Sequence, residues 1–250
     1  MSGTPEVKDL IETTEGHLLG GRLRYAQPRE GFRSGIEPVL LAAAIPAQPG
    51  ESVLEAGSGA GATLLCLAAR VAAIRPTGIE QDVSLVGLAR RNAEANGLSQ
   101  LRFEAADINT APDLGEFDHA CANPPYHPSD GTRSPDARRD LAKRSSGGLL
   151  GEWAHVLARQ LPPRGTLTFI LPAASLPQAV AAFAQADCRA CAMLPLWPKV
   201  NRPAKLMLLH GVKGGRSPFR LLPGLILHNE DGTFTAEAEA VLRGGAPLDL

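Results

Sequence analysis

Ser52-Val53-Leu54-Glu55-Ala56-Gly57-Ser58-Gly59-Ala60-Gly61 is the stretch that decides the fold. A short strand, Ser52 to Ala56, runs straight into a glycine turn, and the apolar helical pattern Ala62 to Val71 follows at once. Strand, glycine loop and helix in that order open a crossover unit on a parallel sheet. The unit repeats downstream. Gly78-Ile79-Glu80 ends a second strand ahead of a helix over Val83 to Asn96, which Gly97 stops. Leu101 to Ala105 reads as a third strand, followed by Asp107, and Phe117 to Ala122 as a fourth, followed by Asn123-Pro124-Pro125-Tyr126. A helix over Leu149 to Leu161, a fifth strand over Gly165 to Leu171 and a helix over Leu176 to Ala186 continue the alternation. Ala192 to Leu196 and Ala204 to Gly211 then form an antiparallel pair. The expected fold class is α/β: a doubly wound, seven-stranded, mostly parallel, Rossmann-like sheet with a C-terminal antiparallel hairpin.

Outside that frame, residues 1–31 read as a polar extension carrying a short strand or hairpin at Leu18 to Tyr25. Residues 32–250 read as one domain that begins with a buried helix over Ile36 to Ile45. From about residue 220 it carries an appendage: a strand over Gly224 to His228, a turn at Asp231-Gly232 and a helix over Thr235 to Arg243. The loop from His127 to about Lys143 is polar and long enough to suggest a functional segment.

The 250 residues are 44% hydrophobic and 20% charged with a formal net charge of −1, an ordinary globular composition. Nothing in that balance calls for a polyanion, so nucleic-acid affinity has to come from local clusters. Cys188-Arg-Ala-Cys191 lacks the second pair or the histidines of a zinc site, so no metal is expected and the four cysteines read as buried, reduced thiols. No window reaches the ~18 apolar residues of a membrane span. The N-terminus has no signal-peptide core. These features give the expectation of a cytoplasmic protein, monomer or homodimer.

Ligands of open parallel sheets bind at the carboxyl ends of the strands. Glu55, Glu80, Asp107 and Asn123 close the four consecutive strands. Gly57, Ser58, Gly59 and Gly61 let the backbone turn sharply and approach a ligand. The glycine run also fits the dinucleotide fingerprint, with Ala62 in the last place, which makes a nicotinamide cofactor the rival. Glu55 weighs against it: a carboxylate there repels a pyrophosphate but suits the methionine ammonium of S-adenosylmethionine. Glu80, twenty-one residues after Gly59, can accept from two ribose hydroxyls. Asp107 can accept from an adenine amino group while Ile108 covers the ring. Arg33 and Gln81 complete the candidate cofactor set. An oxidoreductase would also need a Tyr–Lys relay at helical spacing, and Tyr25 and Tyr126 offer none.

Asn123, Pro124, Pro125 and Tyr126 are the catalytic candidates. Two prolines remove two N–H donors and leave carbonyls facing a pocket. The Asn123 side-chain oxygen and the Pro124 carbonyl can accept both hydrogens of an exocyclic NH₂, turning its lone pair toward a methyl donor. Tyr126 offers a face for a flipped or unpaired base. His127 reads as a loop residue or substrate contact, because the nitrogen sheds its proton only after attack.

On these motifs the chain resembles the class I S-adenosylmethionine-dependent amino-methyltransferases of the N-P-P-Y kind, from about Phe32 to Arg216. Val53 to Gly59, Gly78-Ile79-Glu80 and Asn123 to Tyr126 carry the likeness, and Gly31 to Ala42 resembles the lead-in of the bacterial enzymes that methylate N6 of adenine in a valine tRNA. The resemblance implies S-adenosylmethionine as cofactor, RNA, in particular tRNA, as partner, and roles for Glu55, Glu80, Asp107 and Asn123 matching those argued above. Glu37-Pro38 and Ala142 to Ser146 depart from that group's pattern. Two alternatives within the class are N2 of guanine in RNA, and N5 of a protein glutamine, whose enzymes carry a helical domain before the glycine motif. Finally, Lys199, Arg202, Lys205, Lys213, Arg216 and Arg220 follow Trp197 with no acid among them, and Arg133, Arg138, Arg139, Lys143 and Arg144 lie after the Pro-Pro turn. If both runs share one sheet edge, they make a basic rim around the pocket.

Overall fold

The computed structural model describes residues 11–30, 33–110, 114–125 and 146–250. Tyr126, His127 and the basic residues from Arg133 to Arg144 lie outside the described residues, as do Gly31 and Phe32 of the lead-in.

An antiparallel hairpin comes first, β1 (Thr13–Leu18) against β2 (Leu23–Pro28). Its turn runs through Leu19, Gly20 and Gly21, whose φ values are +50°, +64° and +97°. Of the strand or hairpin that the sequence offers here, the structure shows the hairpin: the two adjacent glycines fold the chain back and put strands on both sides. Next come α1 (Glu37–Ala44), β3 (Ser52–Ala56), α2 (Ala62–Arg70), β4 (Arg75–Glu80), α3 (Val83–Ala95), β5 (Arg102–Ala105) and β6 (His119–Ala122). The second half contains α4 (Ser146–Arg159), β7 (Thr166–Pro172), α5 (Leu176–Gln185), β8 (Cys188–Trp197) and β9 (Leu206–Lys213). Two dipeptide strands, β10 (Arg220–Leu221) and β11 (Leu225–Ile226), precede the closing helix α6 (Ala236–Leu242).

The seven long strands stand in the order β8-β9-β7-β6-β3-β4-β5, parallel except for β9. β10 and β11 both pair in parallel with β8 and cover part of its outer edge. This is the seven-stranded, doubly wound sheet expected from the sequence, widened by two short strands. Helices α1, α2, α3 and α6 pack on one face with Leu40, Leu64, Leu88 and Val241 in the core. Helices α4 and α5 pack on the other with Leu157, Phe169 and Phe183. Neighbouring residues of β3 divide accordingly: Val53 belongs to the first core, Leu54 and Ala56 to the second. The strand order reverses at β3, which has β4 on one side and β6 on the other, so a crevice opens outside the carboxyl ends of β3 and β6.

The amino edge of the sheet carries a polar seam. Asp118 accepts from the backbone N–H and hydroxyl of Ser52, both at 2.8 Å, and His119 bridges Glu51 at 2.9 Å and Thr166 at 2.8 Å. These groups bind strands together at the end away from the crevice.

Candidate functional site

The glycine loop is held by backbone bonds to the neighbouring strand. Gly57 and Ser58 donate to the Ile79 carbonyl at 2.8 and 3.1 Å, and Gly61 donates to Ser58 at 2.9 Å. Gly57, Gly59 and Gly61 have φ values of +66°, +53° and +89°. Their surroundings differ. A Cβ on Gly57 would lie 2.9 Å from the Trp153 ring, and one on Gly61 2.8 Å from Phe103, so these two glycines make room for side chains. At Gly59 nothing lies within 4 Å of such a Cβ. Gly59 is therefore the loop residue that presents bare backbone to the crevice.

Glu55 is the penultimate residue of β3, within hydrogen-bond reach of Thr63 at the start of α2, and is only 2% exposed. Its Oε2 has no partner. Burial pushes its carboxyl up to about 8; the Thr63 hydrogen bond opposes the shift and the Glu80 charge adds to it. Glu80, at the tip of β4, accepts from the Gly59 N–H through Oε2 and from the Asp82 N–H through Oε1, both at 3.0 Å. Asp82 in turn caps α3 by accepting from Ser84 at 2.8 Å. Gln81 is exposed between them.

Asp107 follows β5 and is exposed, with Oδ1 taken by the backbone and side-chain N–H groups of Asn109 at 2.9 and 3.2 Å. Ile108 beside it is buried. On the next strand, Ala56 is level with Ala122, so Asn123 follows β6 level with Gly57. Asn123 is half-buried, Pro124 buried and Pro125 exposed. Glu55, Gly59, Glu80, Ile108 and Asn123 thus gather at one sheet edge. Arg33 is exposed ahead of α1, where Ser34 meets the Tyr25 hydroxyl at 2.8 Å.

Three residues near this edge escaped the sequence reading. Asn92 is buried on α3; its amide donates to the carbonyls of Ala26 and Ala60 at 2.8 and 3.0 Å and accepts from the Ala26 N–H at 2.9 Å. It clamps the hairpin to the glycine loop. Tyr25 is 4% exposed, and the Glu55 charge helps burial raise its hydroxyl above the ordinary value. Trp153 on α4 lies under Gly57 with its indole N–H buried and unpartnered. Asparagine and tryptophan inside helical patterns read as surface and core, and neither spacing gave a signal.

The basic run after Trp197 does not stay together. Lys205 precedes β9 at the carboxyl edge, whereas Lys213 pairs with Cys188 at the amino edge and donates to the Ala186 carbonyl at 3.2 Å. An eight-residue strand carries the chain across the whole sheet between them. The rim on the crevice side is therefore Lys199, Arg202 and Lys205, without Lys213. All four cysteines are buried, and burial pushes the thiols of Cys66 and Cys188 to about 12 and that of Cys191 to about 11. No helix among the described residues is long and apolar enough to cross a membrane.

With this geometry, comparison with known proteins defines the class. Residues 37–183 match the family described as methyltransferase small domain, and the chain belongs to that family of S-adenosylmethionine-dependent methyltransferases. It is 26% identical over 209 residues to the tRNA1(Val) (adenine(37)-N6)-methyltransferase of Aeromonas hydrophila, covering 83% of this chain and 87% of that one. A solved structure of a predicted O-methyltransferase, protein Atu636 from Agrobacterium tumefaciens, superposes with a TM-score of 0.72 at 22% identity, covering 86% of this chain and 99% of the other. The 16S rRNA N2 G1207 methyltransferase of T. thermophilus, solved with AdoMet and guanosine, gives 0.57 at 20% identity, over 84% of this chain and 52% of that chain. At these identities the two structures share the fold.

Proposed function

We propose that the chain methylates N6 of an adenine in RNA, most specifically in a tRNA, with Asn123 and Pro124 gripping the amino group. The observation that carries this reading is the register of β3 and β6, with Asn123 level with Gly57 at the mouth of the glycine loop.

The residues fit S-adenosylmethionine. The unpartnered, buried Glu55 Oε2 is an acceptor waiting for a donor, and a cationic ammonium answers both its charge and its missing bond. Each Glu80 oxygen accepts one backbone N–H and keeps further lone-pair capacity for a ribose hydroxyl. Gly59 lets the ligand lie against bare backbone, and Ile108 supplies an apolar cover for the adenine. Asp107 still has Oδ2 for the adenine amino group, since its local turn uses Oδ1. When bound, the cofactor supplies an electrophilic methyl on sulfonium.

Asn123 Oδ1 and the Pro124 carbonyl accept the two amino hydrogens of the target. That bonding takes the nitrogen lone pair out of conjugation with the ring and points it at the methyl. The nitrogen gains positive charge as it attacks and then releases a proton, so no strong base is required beforehand. Asn123 and the sheet edge orient the group, and orientation supplies a large share of the acceleration. Tyr126 would stack on the base. Residues 32–250 act as one catalytic unit, and the Asn92 clamp on Ala26 ties the β1–β2 hairpin to it. The buried thiols suit a reducing compartment, in keeping with the cytoplasm.

Nucleoside mass spectrometry of unmodified bulk tRNA, incubated with the enzyme and S-adenosylmethionine, tests the reading. N6-methyladenosine is the expected product. N2-methylguanosine, or methylation confined to added release-factor protein, would replace it.

A further inference from the structure

On the same sheet edge, an apolar cavity of about 330 Å³ opens between the ends of β7 and β8 and the start of β9. Met193, Trp197, Pro203, Met207 and Leu222 line it. Its size is at the lower end of the about 300–1,000 Å³ typical of small-molecule sites. It lies outside the crevice: its lining strands β9 and β8 are two and three places from β6 in the sheet, so the cavity is about 10–14 Å from the strand that carries Asn123 at the usual spacing. The loop that walls it runs from Trp197 to Lys205 and carries Lys199, Arg202 and Lys205 without an acid.

We propose that this cavity holds a second, unpaired nucleobase of the RNA substrate, a neighbour of the nucleotide being methylated. The inference rests on the proposed RNA substrate and deepens it. The wall is suited to a flat ring. Trp197 is half-buried and its indole N–H is fixed by the Pro223 carbonyl at 3.1 Å, which holds the ring in one orientation. The thioethers of Met193 and Met207 make favourable contacts with aromatic rings. Stacking of this kind accepts any base, because every base has a π-face. The rim suits what connects two bases. Arg202 and Lys205 are exposed on the loop that leads into β9 and are free to meet a phosphate attached to the base, whereas Lys199 reaches outward to the Glu230 carbonyl at 2.7 Å, near the Asp231 carboxylate.

Leu221, Val200 and Phe219, exposed at 68%, 52% and 47%, raise a second copy of the chain as the other occupant. A twofold contact sets the same patch against itself, which would bring two sets of these cations together. The charge therefore favours a polyanion over a second copy.

The test uses the intact protein and a fluorescein-labelled hexa-adenylate RNA, with no cofactor. Binding is followed by anisotropy and by quenching of tryptophan emission. We expect the RNA to quench the wild type and to leave Trp197→Phe unquenched. Trp197→Ala weakens binding about tenfold or more. Lys205→Gln, at an exposed position that leaves folding alone, lowers the slope of log affinity against log salt by about 0.7. RNA binding without quenching, and with an unchanged salt slope in Lys205→Gln, would overturn the cavity while leaving RNA as substrate. A dimer in sedimentation velocity that Leu221→Glu dissociates would make this face a self-contact and overturn it too. Absence of any methyl transfer to RNA by the wild type would end the RNA reading, and the inference with it.

Discussion

The Gly59 backbone N–H donates to Glu80 Oε2 at 3.0 Å, joining the one glycine of the loop that faces open space to the acid that ends the neighbouring strand. The Asp82 N–H holds the other oxygen at the same distance, so the carboxylate is aimed before any ligand arrives. Prealigned acceptors lose little freedom on binding. Glu80→Ala should weaken S-adenosylmethionine binding by about tenfold or more, the scale of hydrogen bonds to a charged group. Glu80→Gln, which keeps one acceptor, should fall between. Titration calorimetry reads both, and equal affinity in all three proteins would remove Glu80 from the cofactor site.

Glu55 links pH to binding and stability. Its folded value of about 8 stands above the ordinary 4.5, so the folded chain keeps a proton that the unfolded chain releases. That contribution is whole below pH 4.5 and is lost as pH rises through about 8. Glu55→Gln removes the titration and should gain stability at pH 8, on the order of a few kcal/mol. The same variant should lose cofactor affinity. In the wild type an incoming ammonium favours the ionised carboxylate, so binding releases a proton and tightens as pH rises toward 8. Calorimetry in two buffers of different ionisation enthalpy measures that proton; a buffer-independent enthalpy would take the ammonium away from Glu55.

Asn123 belongs to the target side of the crevice. Asn123→Ala should lower methyl transfer to RNA by on the order of a hundredfold or more, the usual cost of deleting one aligned polar group. Cofactor affinity should stay within a few-fold. Single-turnover rates and cofactor titration separate the two effects. A large fall in cofactor binding with little change in rate would move Asn123 to the cofactor's side.

The strand–helix succession, the glycine loop and the four strand-end polar residues were legible because each depends on contiguous residues. Short apolar runs from Ser52 to Ala56 and from Phe117 to Ala122 set the strands, and the acid or amide at each strand end followed from its place. What escaped depends on contacts between distant segments. Asn92 reaches Ala26 across 66 positions, and Trp153 meets Gly57 from another helix. The glycines looked alike in sequence, yet two make room for aromatic rings and one faces open space. The basic run from Lys199 to Arg220 looked continuous on paper. β9 divides it because an extended strand carries its ends to opposite edges of the sheet.

His210 should destabilise the fold in acid. Its Nδ1 meets the Thr168 hydroxyl at 2.9 Å between β9 and β7, far from the glycine loop, and both side chains are buried. Burial, then the charges of His119 and Arg220, lower its imidazole from 6.5 to about 4. The folded chain therefore keeps it neutral at pH values where the unfolded chain binds a proton. Its contribution to stability is full above pH 6.5 and is lost as pH falls toward 4, by about 3 kcal/mol. His210→Gln cannot titrate, so the wild type should lose that much more stability than the variant between neutral pH and pH 4. Urea unfolding at a series of pH values measures the difference. Two parallel curves would show that some other buried group sets the acid limit, and that the Thr168 contact holds His210 in either protonation state.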